Sequence, residues 1–221
     1  MTKDLDYTSL KAKQRAVREG FPETMGLRTH RAISWIGRAE ASGDDNDARF
    51  IFLWIAFNAA YADESQFQAV ASGERTAFLD YFSRLASCDL DRKIYTALWQ
   101  RFSGPVRTLM ENRYVFSPFW LHHNGIEGSD DWADKFRASS RSFANAFQSG
   151  DTARVLSFVF DRLYVLRNQI VHGGSTWNSA INRSQVRDGA EILAFLMPVF
   201  VDLMMDNPNE DWGQPFYPVV Y

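Results

Sequence analysis

Apolar residues recur at helical spacing along most of this chain. The clearest case lies over residues 152–171, where Val155, Val159, Leu163, Leu166 and Ile170 mark one face of a helix, widened by Leu156, Phe160 and Val171. Asp161, Tyr164, Asn168 and His172 fall on the opposite side. The last three are successive i,i+4 neighbours and form one polar stripe. The same periodicity predicts helices over 27–41, with Ile33 and Ile36 inward, and over 74–85, with Phe78, Phe82 and Leu85 on one side. Further helices are expected over 90–102 after an Asp89 cap, over 106–114 after an interruption at Gly104 and Pro105, and over 131–147 with Trp132, Phe136, Phe143 and Phe147 in the core. Residues 48–62 are apolar nearly all round and read as a buried helix whose one polar interior residue is Asn58. The final helix, 184–205, contains Pro198, which should kink it. Residues 42–47 and 116–130 carry the Gly, Pro and Asp of loops.

The expected protein is all-α: an antiparallel helical bundle with extra helices and an aromatic C-terminal tail. Three parts follow from the pattern. Residues 1–26 form a charged arm, loosely docked and broken at Pro22 and Gly26; 27–206 form the helical domain; 207–221 form a tail packed on the domain or across a dimer.

Composition narrows the function. Of 221 residues, 46% are hydrophobic and 15% aromatic, ample for a sizeable core. The net charge of −3 means that bulk electrostatics do not draw the protein to nucleic acid. RNA binding would need a local basic cluster, for which Arg154, Arg162, Arg167, Arg183 and Arg187 are the candidates; the competing reading has them solvated or paired with Asp161 and Asp188. The single cysteine, Cys88, excludes an internal disulfide and a cysteine metal site, and fits a cytoplasmic location. Residues 1–20 lack the apolar core of a signal peptide, and the run 50–57 is too short to span a bilayer, so no membrane partner is expected. His122 and His123 read as loop residues and His30 as surface. No helical His spacing, P-loop, dinucleotide fingerprint or nucleophile elbow occurs, and neither a metal nor a cofactor is expected.

The chemistry concentrates in Arg167-Asn168-Gln169-Ile170-Val171-His172-Gly173-Gly174. Two glycines are a helix stop, because the residue past a C-terminus often needs positive φ. His172 then sits at the C-cap, where the helix dipole favours a protonated imidazole. Arg167 lies about 140° from His172 around an ideal helix. Either its long side chain reaches the same site, or the stripe faces a second subunit whose own Arg167 completes it.

An Arg followed by Asn, three further residues and a His at a helix end resembles the HEPN superfamily (higher eukaryote and prokaryote nucleotide-binding), whose signature is Arg, four to six residues, then His. Arg167, Asn168 and His172 fit it with a four-residue gap. The segment Leu53-Trp54-Ile55-Ala56-Phe57-Asn58-Ala59-Ala60-Tyr61 is similar to a buried helix of that group, and the likeness spans roughly residues 28–206. The resemblance implies a HEPN-like homodimer with two motifs meeting in a cleft, and a metal-independent endoribonuclease of the toxin, defence or RNA-processing kind, with RNA as substrate and an antitoxin protein as a further partner. In that chemistry the RNA 2′-hydroxyl attacks the adjacent phosphate; His172 acts as general base or acid, Arg167 holds the phosphate, and Asn168 orients His172 or donates to a phosphate oxygen. Asn58, Tyr164, Asp161, Arg162, Arg183 and Arg187 are the supporting or substrate-binding candidates. Other relatives only bind a nucleotide, RNA or a protein partner, which is the alternative.

Overall fold

A computed structural model describes residues 5–61, 76–180, 182–215 and 217–218 of the chain. Among the described residues there are ten α-helices and no strand. They are α1 (Tyr7–Val17), α2 (Glu23–Glu40), α3 (Asn46–Tyr61), α4 (Thr76–Cys88), α5 (Lys93–Thr96), α6 (Ser103–Glu111), α7 (Ser117–His123), α8 (Trp132–Ser149), α9 (Thr152–Val171) and α10 (Arg183–Asp206). The expected all-α class is what the chain adopts. The first two residues of the helix expected over 74–85 lie outside the described residues.

Local sequence sets the helix ends. The Asp151 carboxylate accepts the Arg154 N–H at 3.1 Å and opens α9. Asp89 does the same for α5, accepting from the backbone of both Lys93 and Ile94 at 2.8 and 2.7 Å. Helix α8 stops at Gly150, whose φ of 73° is the left-handed conformation that glycine adopts at least cost.

The core is built where α3, α4, α9 and α10 meet. Phe160 of α9 lies 4.5 Å from Phe57 of α3, 4.9 Å from Phe82 of α4 and 6.0 Å from Phe200 of α10, ring centre to ring centre. All four rings are wholly buried, and each contributes about 2–3 kcal/mol of hydrophobic stabilisation. Helices α3 and α9 run antiparallel, with Trp54 against Tyr164 and Phe57 against Phe160. Helix α10 crosses both closely at Gly189, where a Cβ would fall 2.9 Å from Phe50 and 3.0 Å from Leu163. Helices α1 and α2 cover α3 and α10 from one side; α6 and α8 pack on α9 from the other.

Several boundaries differ from the sequence reading. Residues 5–20 are a docked element, not a loose arm. Asp6 and Ser9 form a reciprocal capping box for α1, and Leu10 is fully buried. Lys13 bridges Asp202 at 2.5 Å and Asp206 at 2.7 Å. Burial by itself would lower the Lys13 ammonium, but these two carboxylates raise it overall. Residues 116–130 are only partly loop, since α7 starts at Ser117 with Pro118 in its first turn, where the missing N–H is not needed. Gly104 and Pro105 likewise sit inside the first turn of α6 rather than interrupting the chain before it. In the tail, Trp212 is buried against Tyr81, and the Arg28 guanidinium donates to the carbonyls of Gly213 and Gln214.

Candidate functional site

The end of α9 is closed by a complete Schellman turn. The Gly174 N–H donates to the Gln169 carbonyl at 2.7 Å, and the Gly173 N–H to the Ile170 carbonyl at 3.2 Å. Gly173 holds φ at 72°. At Gly174 a Cβ would meet the Gln169 carbonyl oxygen at 2.9 Å, so both glycines are used for geometry. His172 is the C-cap residue, its N–H on the Asn168 carbonyl at 3.0 Å, and its imidazole is exposed.

Arg167 and Asn168 are half-buried on the turn below. The Arg167 guanidinium donates to the Asn168 side-chain oxygen at 2.9 Å. Asn168 therefore orients Arg167 rather than the His172 ring, and its amide NH₂ is the part left to offer a ligand. The chain thus presents a guanidinium, an amide and an imidazole at one helix end.

The flanks of that end are fixed by Gln169 and Arg183 together with residues the sequence reading did not single out, Tyr114, Asp45, Asp47, Trp177, Asn178 and Asn182. Gln169 donates to the Tyr114 carbonyl at 2.5 Å and accepts from Asn182 at 3.0 Å, tying α9 to the segment before α7 and to the start of α10. Arg113 stacks on Tyr114, its carbon 5.0 Å from the ring centre. The loop after Gly174 is pinned to the start of α3. Trp177 donates its indole N–H to Asp45 at 3.1 Å, the Asn178 N–H reaches Asp47 at 3.2 Å, and Arg183 reaches Asp47 at 2.8 Å and Asn178 at 2.9 Å. The Asp47 hydrogen bond is the main influence that raises Arg183. The Asp45 carboxyl is held below its usual range, chiefly by the Ala48 N–H and then by the Trp177 indole. Trp177 is 74% exposed and Val171 48% exposed, so apolar surface borders His172 on both sides in sequence.

Four supporting candidates are placed elsewhere by the fold. Arg162 is 1% exposed, with its guanidinium 4.3 Å from the Phe116 ring centre, and donates to the Ser139 hydroxyl at 3.3 Å; it is a core residue of the α8–α9 contact. Asp161 lies 3.8 Å from it. Tyr164 leaves the polar stripe and packs against Trp54 at 6.1 Å. Asn58 is exposed, not buried. Because α3 is antiparallel to α9, Asn58 stands level with Phe160, about 18 Å along the helix axis from His172, so it supports neither Asn168 nor His172. The reason is that α3 packs its Phe50, Trp54, Phe57 and Tyr61 faces inward and leaves a narrow strip outside. Of the arginines expected to form a basic cluster, Arg183 is taken by Asp47 and Arg187 by Asp188 at 2.9 Å. Arg154 lies in the first turn of α9, about 27 Å from His172.

His122 lies 3.2 Å from Asp130, and His123 stacks on Phe119. Among the described residues no three His, Cys, Asp or Glu side chains gather as a metal-ligand set. No helix among them is long and apolar enough to cross a membrane. Comparison of the chain with family models, with curated proteins and with solved structures gives no match in any of the three.

Proposed function

We propose that this protein is a HEPN-type, metal-independent endoribonuclease acting through Arg167, Asn168 and His172. The observation that carries the reading is the end of α9, where a glycine-closed turn holds an exposed imidazole one turn beyond an Asn-oriented guanidinium. In the reaction the RNA 2′-oxygen forms a bond to phosphorus while the bond from phosphorus to the 5′-oxygen breaks. The products are a cyclic phosphate and a 5′-hydroxyl. His172 takes the 2′-hydroxyl proton or returns one to the leaving oxygen. Arg167 binds the phosphate and offsets the charge that builds on it. The exposed Val171 and Trp177 beside the motif suit a face covered by a second copy, which would bring two motifs together.

The test is RNA cleavage in EDTA by wild type, His172→Ala and Arg167→Ala, with the ends of the products identified. Cleavage that leaves cyclic phosphates and is lost in both variants is the expected result. Intact RNA with the folded wild-type protein, across varied substrates, refutes it. One observation favours a second reading, the binding of a nucleotide, RNA or protein partner without turnover: Arg162 and Arg183, two of the cations expected to serve the motif, are engaged by Ser139 and Asp47 instead.

A further inference from the structure

A concave site lies away from the α9 motif. Between the π-helical turn that follows α5 (Ala97–Arg101), α6 and the C-terminal half of α8 is a cleft of about 640 Å³, the size that takes a small organic ligand. Its Phe143 touches Phe158 near the start of α9, and Phe158 precedes His172 by about 21 Å of helix.

One wall is a column of stacked rings. Tyr95 and Trp99 stack at 4.3 Å with 9° between their planes, and Trp99 and Phe147 at 4.7 Å with 18°. The Arg92 guanidinium covers the outer face of Tyr95 at 4.0 Å, and Arg107 lies 5.5 Å from the Phe147 ring centre. Trp99 is locked further by its indole N–H on the Phe147 carbonyl at 2.9 Å. Since both faces of Trp99 are covered, what it turns to the cleft is an edge, and ring edges carry partial positive charge. The residues that set the column are unusual in backbone: Arg92 is left-handed at φ 55°, and Trp99 sits in a π-helical turn, a rare form that is frequent at functional sites.

An electron-rich flat ring laid across positive edges is therefore the favoured occupant. The polar lip says which one. Arg107 and Glu111 are i,i+4 neighbours on α6 and both line the cleft. A guanidinium supplies donors only and a carboxylate acceptors only. Guanine offers the complement on two separate edges, with O6 and N7 paired as acceptors for a guanidinium fork and the N2 amino group as a donor, whereas adenine sets its N6 amino donor beside N7. We infer that the cleft bordered by Tyr95, Trp99 and Phe147 binds the guanine base of a nucleoside, with Arg107 on its acceptor edge and Glu111 on its amino edge.

The experiment titrates guanosine, adenosine and uridine into the full chain, following the Trp99 indole N–H by NMR and affinity by calorimetry. Arg107 and Glu111 are exposed, so Glu111→Gln and Arg107→Ala keep the fold, which circular dichroism checks. Guanosine is expected to shift the Trp99 signal and to bind roughly 5- to 100-fold more tightly than adenosine, and Glu111→Gln and Arg107→Ala each to reduce that preference. His172→Ala is expected to bind guanosine as wild type does, which separates this site from the α9 motif. No guanosine binding at millimolar concentration overturns the inference. Binding that leaves Trp99 unmoved, or that neither lip variant changes, overturns it equally.

Discussion

Gly173→Ala tests whether the turn after α9 holds the motif in place. At φ 72° an L-residue is strained by about 1–2 kcal/mol. Nothing lies within 4 Å of the added Cβ, so no steric clash adds to this. Alanine also reduces the freedom of the unfolded chain, which returns about 0.4–1 kcal/mol. The net destabilisation is about 1 kcal/mol, or roughly 2–4 °C in Tm for a protein of this size. Gly173→Asn should lose much less, since Asn tolerates the left-handed region. Gly104→Ala supplies the opposite sign. It is exposed in the first turn of α6, with negative φ and no neighbour within 4 Å, so alanine should stabilise by about 0.5–1 kcal/mol. Thermal unfolding followed by circular dichroism reads all three, and amide exchange at residues 172–174 reads local fraying of the last turn. On the proposed ribonuclease reading, RNA cleavage by Gly173→Ala should fall by more than the loss of folded protein accounts for, because fraying displaces the His172 imidazole. Gly173→Ala as stable as wild type, or Gly173→Asn as poor as alanine, refutes the reasoning.

Two other predictions concern the loop and the charge around the motif. The Asp45 carboxyl is depressed in the folded protein, so its stabilising contribution is complete above the ordinary aspartate range and is lost as pH falls through the depressed value; the Trp177 indole N–H resonance should therefore titrate with a midpoint below 3.8, and a midpoint at or above 3.8 contradicts the Asp45 hydrogen bonds. With Arg162 buried and Arg183 on Asp47, phosphate neutralisation in the proposed two-copy site rests on its two Arg167 guanidiniums, so on that reading the affinity for a non-cleavable 2′-O-methyl RNA should fall with salt at a log–log slope of about −1.5 between roughly 50 and 200 mM, and a slope steeper than about −4 would refute that placement.

The main helices were readable because their signals are local. Helix α9 was expected over 152–171 and is formed there, since an Asp-capped start, a 3.6-residue apolar period and a Gly-Gly stop agree. Helix α7 was hidden by the same kind of reasoning. Proline, two histidines and nearby glycines look like loop chemistry, yet Pro118 in a first turn begins a helix, and the Trp120 indole N–H on the Tyr114 carbonyl holds it. Charge misled at the N-terminus for a related reason. The salt bridges that dock α1 join Lys13 to Asp202 and Asp206, nearly the whole chain away, and no local pattern signals such a pairing.

The site divides along the same line. Arg167, Asn168 and His172 were legible because helix geometry and a glycine stop place them on one helix end without reference to the rest of the molecule. What each arginine faces was not. Arg162 and Arg167 are only five residues apart in sequence but differ in role: one is sealed between Phe116 and Ser139, the other stays half-buried beside Asn168. A long cationic side chain gives no sequence signal of whether its partner is water, an aromatic face or a distant carboxylate. Asn58 fails for the mirror-image reason. A single polar residue in an apolar helix reads as buried and satisfied, whereas α3 has one strip left outside, and that strip is where a lone asparagine is least costly. The aromatic column at Trp99 had no sequence signature at all, because it depends on a π-helical turn that shifts Trp99 onto the end of α8, a register that helical periodicity cannot describe.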